Sequence, residues 1–449
     1  MPVRSRWKSA FFVFTGLALM MGSSPRTFAQ APGSPAAPPA KPAASQPQNS
    51  GPVFKFQFGG NVAQIPFDFN GNMVFVPVRI AGGQPCLFLV DSGVAESAID
   101  RQKLADLGLP TAVPAGGAPG TATSGSVKNI VLQLPGLYVG MPSLRVVSFA
   151  DLSKNLGRAV EGVIGTDVLS RFVMEIDYDR LSLRLFDPAS YQYAGKTPPV
   201  PLGVSSDLLT VPVRAEVPGR KNSTAQFAID TGFPDAVEFQ GAAAVLHKHF
   251  FTHERTRLAL IPTEMTGPPP VEGRIKEIQL GKNIFTEPAA DFSRAPVTPQ
   301  PAGSAHSPIA GVIGNEILRR FKVIIDPVKH QAIFEPGHHY NEPFEIDMSG
   351  MVLQAEGPSL KTIRVADVLE HSPAHSAGIQ KGDIIAGIQS EPAVELHLAD
   401  LRDLFTQPEK EVKLTLDRNG KTVDVKLKLP KENTPGGSGP VAPSLGTVR

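Results

Sequence analysis

The chain repeats a multi-part motif, and this duplication constrains its fold more than any other feature. Val76-Pro77-Val78-Arg79 recurs as Val211-Pro212-Val213-Arg214. After each copy, an apolar run ends in an Asp-(Ser/Thr)-Gly triplet, at Asp91-Ser92-Gly93 and at Asp230-Thr231-Gly232. A repeated unit of this size predicts two similar lobes related by a pseudo-two-fold axis.

The downstream parts of the two copies also correspond. Gly162-Val163-Ile164-Gly165 and Gly311-Val312-Ile313-Gly314 each precede a short helical pattern. A strand is then predicted over Val173 to Asp177 in the first copy and over Lys322 to Asp326 in the second. Short apolar runs separated by Gly, Pro and Asn continue to about Pro336, which indicates a mostly antiparallel β protein.

Composition bounds the class of protein. The 449 residues are 41% hydrophobic, which is sufficient for more than one core. The formal net charge of +1 gives no indication of a nucleic-acid-binding surface or of a strongly acidic substrate. Cys86 is the only cysteine, so no internal disulfide can form. Because Cys86 lies in the apolar run before Asp91, we expect a buried, inert thiol.

The N-terminus has the pattern of an export signal. A basic start precedes the apolar stretch Phe11 to Met21, and Thr27-Phe28-Ala29 offers a small-residue cleavage site. This pattern predicts a periplasmic or secreted protein. The alternative is an uncleaved membrane anchor, and only in that case would we expect contact with a membrane.

Changes in composition divide the chain further. The segment after the signal is rich in Pro and Ala, and the C-terminal tail is rich in Gly and Pro, so both are expected to be disordered. Ala236 to His249 has a helical pattern, and Gly116–Gly120 and Thr266–Pro270 are candidate loops over a cleft. The predicted regions are a signal peptide (1–29), a linker (30–51), a first lobe (52–195), a second lobe (196–340), a C-terminal domain (344–430) and a tail (431–449).

The two triplets carry residue types suited to hydrolysis. Two carboxyl groups brought together, Asp91 and Asp230, can share one proton. The ionised member then takes a proton from water while the protonated member polarises the carbonyl under attack. The hydroxyls can hydrogen-bond across the pair, and each Gly permits close approach of two backbones. The predicted catalytic residues are Asp91 and Asp230, supported by Ser92, Gly93, Thr231 and Gly232.

These triplets, each followed by an apolar-apolar-Gly motif and a short helix, resemble the retropepsin-like aspartic proteases. The resemblance covers roughly Pro52 to Pro336, twice, as in the single-chain, two-lobed form. It implies two acid-protease β-barrel lobes, one catalytic Asp from each lobe and no cofactor or metal. It also implies a peptide or unfolded protein substrate lying extended between the lobes. Val94 and Phe233 depart from the family, which more often has Ala or Ser after the Gly.

The C-terminal region resembles a PDZ domain of the bacterial protease type. The resemblance rests on Ser372-Pro373-Ala374, Ala377-Gly378-Ile379 and Gly382-Asp383-Ile384-Ile385. It implies that protein C-termini bind as an added strand, with Leu398 to Phe405 forming a helix beside the groove. The implied peptide-binding loop comprises Gly350, Met351, Val352 and Leu353.

We therefore predict an exported aspartic endopeptidase with a peptide-binding domain. The alternative is a non-catalytic scaffold that binds peptides or proteins with acid-protease-like lobes, because a fold does not guarantee an activity. A trypsin-like serine protease is excluded, since no Gly-Asp-Ser-Gly-Gly or Gly-x-Ser-x-Gly context occurs. The spacing of His247, His249 and His253 favours a solvated face over a metal site.

Overall fold

The computed structural model describes residues 51–110, 125–216, 223–240, 255–256, 271–292, 309–389, 391–393 and 396–431. Within these ranges the chain is mostly β and forms two lobes followed by a C-terminal domain. The predicted signal, most of the linker and tail, both candidate cleft loops and the three clustered histidines lie outside the described residues.

Six of the described strands in the first lobe close a barrel, in the order β4-β5-β9-β6-β8-β7 and back to β4. The strands are β1 (Val53–Phe56), β2 (Val62–Pro66), β3 (Asp68–Asn70), β4 (Met73–Ile80), β5 (Cys86–Val90), β6 (Ala98–Asp100), β7 (Gly125–Leu134), β8 (Leu137–Val147), β9 (Gly162–Ile164), β10 (Val173–Asp177) and β11 (Ser182–Phe186). The helices are Arg101–Asp106, Ala150–Leu156 and Thr166–Leu169, with a 3-10 turn at Gln57–Gly59.

The second lobe repeats this order in its central strands, β14-β15-β22-β16-β21. Its strands are β12 (Val200–Pro201), β13 (Gly203–Ser205), β14 (Leu208–Ala215), β15 (Ser223–Ile229), β16 (Val237–Phe239), β17 (Arg255–Thr256), β18 (Val271–Arg274), β19 (Glu277–Leu280), β20 (Asn283–Thr286), β21 (Ala289–Phe292), β22 (Ile309–Ile313), β23 (Phe321–Asp326) and β24 (Gln331–Pro336). A helix spans Asn315–Leu318, and a 3-10 helix spans His338–Asn341.

One local feature separates the second lobe from the first, and one prediction fails in this lobe. The counterpart of the long β7–β8 hairpin is broken near Pro288, which has no N–H to continue the ladder. The helix predicted from Ala236 is wrong at its start, since Val237–Phe239 is strand β16, paired with β21 and β22. Tertiary pairing of buried apolar residues overrides the local pattern there. The remainder of that prediction, residues 241–249, lies outside the described chain.

A sheet shared by the lobes shows their pseudo-symmetry directly. Its order is β12-β24-β23-β10-β11-β2, with β10 and β23 antiparallel at the centre. Glu175 lies opposite Ile324. Each follows the matching phenylalanine, Phe172 or Phe321, by the same number of positions, because 175 − 172 equals 324 − 321. The pairing register therefore places the pseudo-two-fold axis at this residue pair.

The C-terminal domain has its own apolar core, which includes Leu353, Val365, Leu401 and Phe405. Its sheet order is β25-β26-β27-β29-β30, so β25 is an edge strand of the described sheet. The strands are β25 (Met351–Glu356), β26 (Thr362–Val368), β27 (Ile384–Ile388), β28 (Glu391–Pro392), β29 (Glu411–Arg418) and β30 (Lys421–Lys428), with helices Pro373–Ser376 and Leu398–Phe405. Among the helices described here, none has the length and apolar character required to cross a membrane.

Candidate active site

The two predicted catalytic acids occupy equivalent places at the ends of β5 and β15. The Asp91 N–H donates to the Ile164 carbonyl at 3.0 Å, and the Asp230 N–H donates to the Ile313 carbonyl at 3.0 Å. The acceptors belong to β9 and β22, which run parallel to β5 and β15. The repeated Val-Ile-Gly motifs therefore fix the backbone of each acid in the same way.

The hydroxyls of the triplets lock the two loops together. The Ser92 N–H donates to Thr231 Oγ1 at 3.0 Å, and the Thr231 N–H donates to Ser92 Oγ at 3.1 Å. The Ser92 hydroxyl donates to the Ile229 carbonyl at 2.6 Å, while that of Thr231 donates to the Val90 carbonyl at 2.7 Å. Both hydroxyl-bearing side chains are fully buried, so this reciprocal set joins the lobes without competition from water.

The glycines place each carboxyl group against the opposite loop. The N–H of Gly93 donates to Asp91 Oδ1 at 2.8 Å, and that of Gly232 donates to Asp230 Oδ1 at 2.8 Å. A Cβ added to Gly93 would lie 2.3 Å from Asp230 Oδ2, and one added to Gly232 would lie 2.3 Å from Asp91 Cγ. Only glycine fits both positions, because a side chain would occupy the space of the opposite carboxyl group.

Asp91 and Asp230 form one titrating unit. Each carboxyl group lies against the loop of the other, so the two groups are close neighbours. Burial raises the pKa of Asp91, against the opposing effect of the Gly93 N–H. Burial and the neighbouring Asp91 charge together raise the pKa of Asp230 well above its ordinary value. The pair therefore holds a shared proton at pH values where an isolated Asp is ionised.

The side chains supporting the first loop come from Ser97, just before β6, and from the helix Thr166–Leu169. Asp167 accepts from the N–H of Ser97 at 3.0 Å and from its hydroxyl at 2.6 Å. The Ser97 hydroxyl in turn accepts from the Gly165 N–H at 2.9 Å. These bonds tie the end of the catalytic loop to the Val-Ile-Gly motif of the same lobe.

The second loop is supported by a chain of buried hydrogen bonds that crosses between lobes. Asn315 Nδ2 donates to the Thr231 carbonyl at 2.7 Å, and the Tyr178 hydroxyl donates to Asn315 Oδ1 at 2.7 Å. Burial raises the pKa of Tyr178, so its hydroxyl remains a donor. No sequence pattern singles out Ser97, Tyr178 or Asn315 as a site residue. One sequence feature could have pointed to Asn315: it follows the second Val-Ile-Gly motif, at the position where the first lobe has Thr166.

The predicted peptide-binding loop lies at the start of β25 and faces the second catalytic loop across a cavity. The cavity has a volume of about 1550 Å³. Its walls include Gly232, Phe233 and Pro234 on one side and, on the other, the four predicted loop residues Gly350, Met351, Val352 and Leu353. The structure thus brings the loop of the C-terminal domain close to the second predicted catalytic loop, an arrangement that the sequence did not predict.

Other reactive side chains have structural surroundings. Cys86 is buried, its Sγ donates to the Val78 carbonyl at 3.1 Å, and burial raises its pKa to about 11, consistent with an inert thiol. Asp177 and Asp326 accept from the N–H groups of Arg180 and Lys329, so each closes a turn. Within the described residues, no group of three or more His, Cys, Asp or Glu side chains is arranged to hold a metal.

Comparison with known families assigns two parts of the chain. The family described as aspartyl protease matches residues 76–168, which include the first triplet. The family described as PDZ domain matches residues 345–429. The chain therefore contains an aspartyl-protease segment and a C-terminal PDZ domain, and the predicted retropepsin-like resemblance and β-rich fold class are confirmed.

Solved structures give partial matches. A photosystem II D1 C-terminal processing protease is 26% identical over 19% of this chain and 23% of its own length, with a TM-score of 0.18. The HtrA3 PDZ domain bound to a phage-derived ligand is 24% identical over 18% of this chain and 80% of its own length, with a TM-score of 0.16. A retropepsin-like aspartic protease from Rickettsia conorii is 15% identical over 30% of this chain and 92% of its own length, with a TM-score of 0.20. The chain thus spans about a quarter of the first of these structures. No curated protein sequence gives a significant match.

Proposed function

We propose that the protein is an exported aspartic endopeptidase that uses Asp91 and Asp230 to hydrolyse peptide bonds. The observation that carries this proposal is the close approach of two carboxyl groups, each against the loop of the other, whose pKa values are both raised. The buried bonds between Ser92 and Thr231 hold that pair in place. A scaffold needs no such proton-sharing pair, whereas water activation does.

The chemistry follows from the shared proton. A water held between the carboxyl groups loses a proton to the ionised Asp and attacks the peptide carbonyl carbon. The protonated Asp hydrogen-bonds to the carbonyl oxygen and transfers its proton as the tetrahedral intermediate forms. The Asp that took the proton of water then donates it to the amide nitrogen, and the other Asp takes a proton back from a hydroxyl of the intermediate as the C–N bond breaks. The products are a carboxylic acid and an amine, and the pair returns to its starting state.

The substrate is a peptide or unfolded protein lying extended between the lobes, and the PDZ domain recognises protein C-termini at Gly350–Leu353. The basic and apolar N-terminal pattern supports export to the periplasm or beyond. Membrane association is proposed only for a form that retains the N-terminal segment. The chemistry requires no cofactor, and the near-neutral net charge gives no reason to propose a nucleic-acid partner.

The test compares three matched substitutions in the full chain: Asp91→Asn, Asp230→Asn and, as a control, Asp106→Asn. Asp106 is exposed at the end of the helix Arg101–Asp106. With a reduced, unfolded casein as substrate, each dyad variant should lose about 10³-fold or more in cleavage rate, about 4 kcal/mol of transition-state stabilisation. The control should cleave like the wild type.

Two results would contradict the proposal. Undiminished cleavage by either dyad variant would remove that carboxyl group from the mechanism. Binding of the unfolded substrate without cleavage by the wild type, at all pH values from acidic to neutral, would favour the scaffold alternative.

A further inference from the structure

The far end of the PDZ groove is in contact with the first lobe. The groove lies between the edge strand β25 and the helix Leu398–Phe405. The first-lobe helix Ala150–Leu156 ends against it. Gln354 Nε2 donates to Asn155 Oδ1 at 2.8 Å, and Arg402 Nη2 donates to the Asn155 carbonyl at 2.6 Å. One bond thus comes from each wall of the groove to a single residue of the protease lobe.

The contact is close and buried. Asn155 is 5% exposed, and Gly157, two residues later, lies against the groove. A Cβ added to Gly157 would lie 2.5 Å from Leu398 Cβ, at the start of the groove helix. Glycine is required here on two grounds, the close approach and a φ of 70°.

The bonds that hold this contact use groups a peptide would need. A peptide that adds to an edge strand pairs with the outward backbone groups of that strand. The Leu353 carbonyl accepts from Arg402 Nη2 at 3.3 Å, so this side chain crosses the groove from helix to strand. The Asn155 carbonyl belongs to the last turn of its helix, where carbonyls lack helical partners and carry partial negative charge. Arg402 therefore binds it as it would bind a peptide carbonyl.

The loop end of the groove lies on the same cavity, since Gly350 and Met351 line it together with Asn155 and Arg402. The bonds to the first lobe come from Gln354 and Arg402, farther along the groove. A strand advances about 3.3 Å per residue. A peptide whose C-terminus lies at Gly350 would therefore reach the position of Asn155, beside Gln354, after about three or four residues. A longer bound peptide and the first-lobe helix cannot occupy the groove together.

We propose that Asn155–Gly157 is the internal ligand of the PDZ groove, and that a peptide longer than about three residues binds only by displacing it. The bound peptide then separates the PDZ domain from the first lobe. This inference goes beyond peptide hydrolysis and holds whether or not the dyad cleaves.

The connection to the second lobe survives this displacement. Arg320, 1% exposed, donates to the carbonyls of Glu342 and Pro343 in the connecting segment and lies 3.9 Å from the ring centroid of Phe344. Arg274 also donates to the Phe344 carbonyl, at 2.8 Å. The PDZ domain would therefore pivot about residues 342–344, and the pivot widens the cavity beside the second catalytic loop.

The test uses Gly157→Ala with Gly108→Ala as its matched control, both in the full chain. Gly108 also follows a first-lobe helix and has a φ of 65°, but an added Cβ would have nothing within 4 Å. Both substitutions strain the backbone alike, and only Gly157→Ala drives Leu398 away. Hydrogen exchange over residues 150–156 and 351–356 should be about 10-fold faster in Gly157→Ala than in wild type, and unchanged in Gly108→Ala. Equal exchange in all three proteins would overturn the proposal.

A binding measurement tests the competition itself. The probe is a pool of random-sequence hexapeptides with free C-terminal carboxyl groups, and the amidated pool is its control. The free-acid pool should bind Gly157→Ala about 10-fold more tightly than wild type, because docking no longer reduces the binding-competent population. Equal affinities, or no binding to either protein, would contradict an internal ligand that competes with peptides. If circular dichroism shows that Gly157→Ala does not fold, Gln354→Ala should give a smaller increase in both measurements, and no increase would overturn the proposal.

Discussion

The two lobes hold their proposed catalytic acids with the same bonds but support them with different side chains. In each lobe the Asp N–H binds an Ile carbonyl, the Gly N–H binds the carboxylate, and the hydroxyl reaches across to the partner loop. Sequence similarity is kept at the triplets, where two carboxyl groups must meet, and at the Val-Pro-Val-Arg and Gly-Val-Ile-Gly segments. Away from these motifs, the lobes share a backbone path and differ in chemistry.

One pair of matched positions shows what the divergence permits. In the first lobe the Gly165 N–H donates to the Ser97 hydroxyl, and that hydroxyl donates to the Asp167 carboxylate. In the second lobe the corresponding Gly314 N–H donates to the carbonyl of Ala236, which has no hydroxyl. The matching carboxylate, Glu316, is therefore available to arginines instead.

Arg320 links Glu316 to the segment that leads to the PDZ domain. Its Nη2 pairs with Glu316 Oε1 at 2.8 Å, and the same guanidinium binds the carbonyls that lead to the PDZ domain. The equivalent residue of the first lobe, Arg171, is exposed. In the second lobe, side chains outside the triplet therefore differ from those of the first lobe in a way that anchors a further domain.

The largest expected effect breaks this anchor. Arg320→Ala leaves the carbonyls of Glu342 and Pro343 without this donor, while Arg319 still pairs with Glu316. It should lower the free energy of unfolding by about 2–4 kcal/mol. Arg171→Ala, at the exposed matching position, should change it by less than about 0.5 kcal/mol. Chemical denaturation followed by fluorescence measures both. Similar losses for the two variants would show that the lobes do not differ in this way.

The next effect tests the symmetry of the catalytic loops. Gly93→Ala and Gly232→Ala each place a Cβ against the opposite carboxyl group, so each should reduce the cleavage rate about 10²-fold. The reductions should be equal within about 3-fold, since the two contacts have the same geometry. Steady-state cleavage of unfolded casein measures them. A loss confined to one variant would show that a single lobe carries the reaction.

The smallest effect tests the support found only in the second lobe. Tyr178→Phe leaves the buried Asn315 Oδ1 without its donor and should cost about 1–2 kcal/mol of stability. The matched control is Tyr138→Phe, because Tyr138 is 37% exposed on β8. Thermal unfolding compares the two. If both shift the melting temperature alike, the bridge from Tyr178 to Asn315 contributes nothing specific.

The parts of the fold that repeat in the sequence were the predictable ones. Three features recur: the triplets, the Val-Ile-Gly motifs, and the short helices and strands that follow them. Two matched copies therefore indicated the structure of each lobe and the contact between the two triplet loops. The PDZ strands and helix were predictable because alternation and helical spacing are local properties. Leu398–Phe405 is a helix with the predicted bounds.

The remainder depends on contacts that no local pattern records. Tyr178 and Asn315 are 137 positions apart and occur in one copy only. Asn155 meets Gln354 across 199 positions, between two domains whose sequences share no motif. The failed helix from Ala236 has the same origin, because pairing with two neighbouring strands decided its conformation.

The pKa shifts also fix the sign of a pH effect on stability. The unfolded chain has ordinary Asp pKa values, whereas those of Asp91 and Asp230 are raised in the fold. The folded state therefore binds more protons in the interval between, and its stability falls as the pH rises through that interval. Asp230→Asn should flatten this dependence, with Asp106→Asn as the unaffected control.

The most direct test of the account is a carbon-13 NMR titration of carboxyl-labelled aspartates in wild type, Asp91→Asn and Asp230→Asn. Wild type should give a pair of resonances that titrate together, one of them with a pKa well above the ordinary range of Asp. In Asp91→Asn, the carboxyl of Asp230 should move back toward that range, because the like charge of its neighbour is gone. In Asp230→Asn, the carboxyl of Asp91 should stay above that range, because burial raises its pKa without help from Asp230. Two independent titrations near the ordinary Asp value, unchanged by substitution of the partner, would contradict the claim that Asp91 and Asp230 act as one acid–base pair.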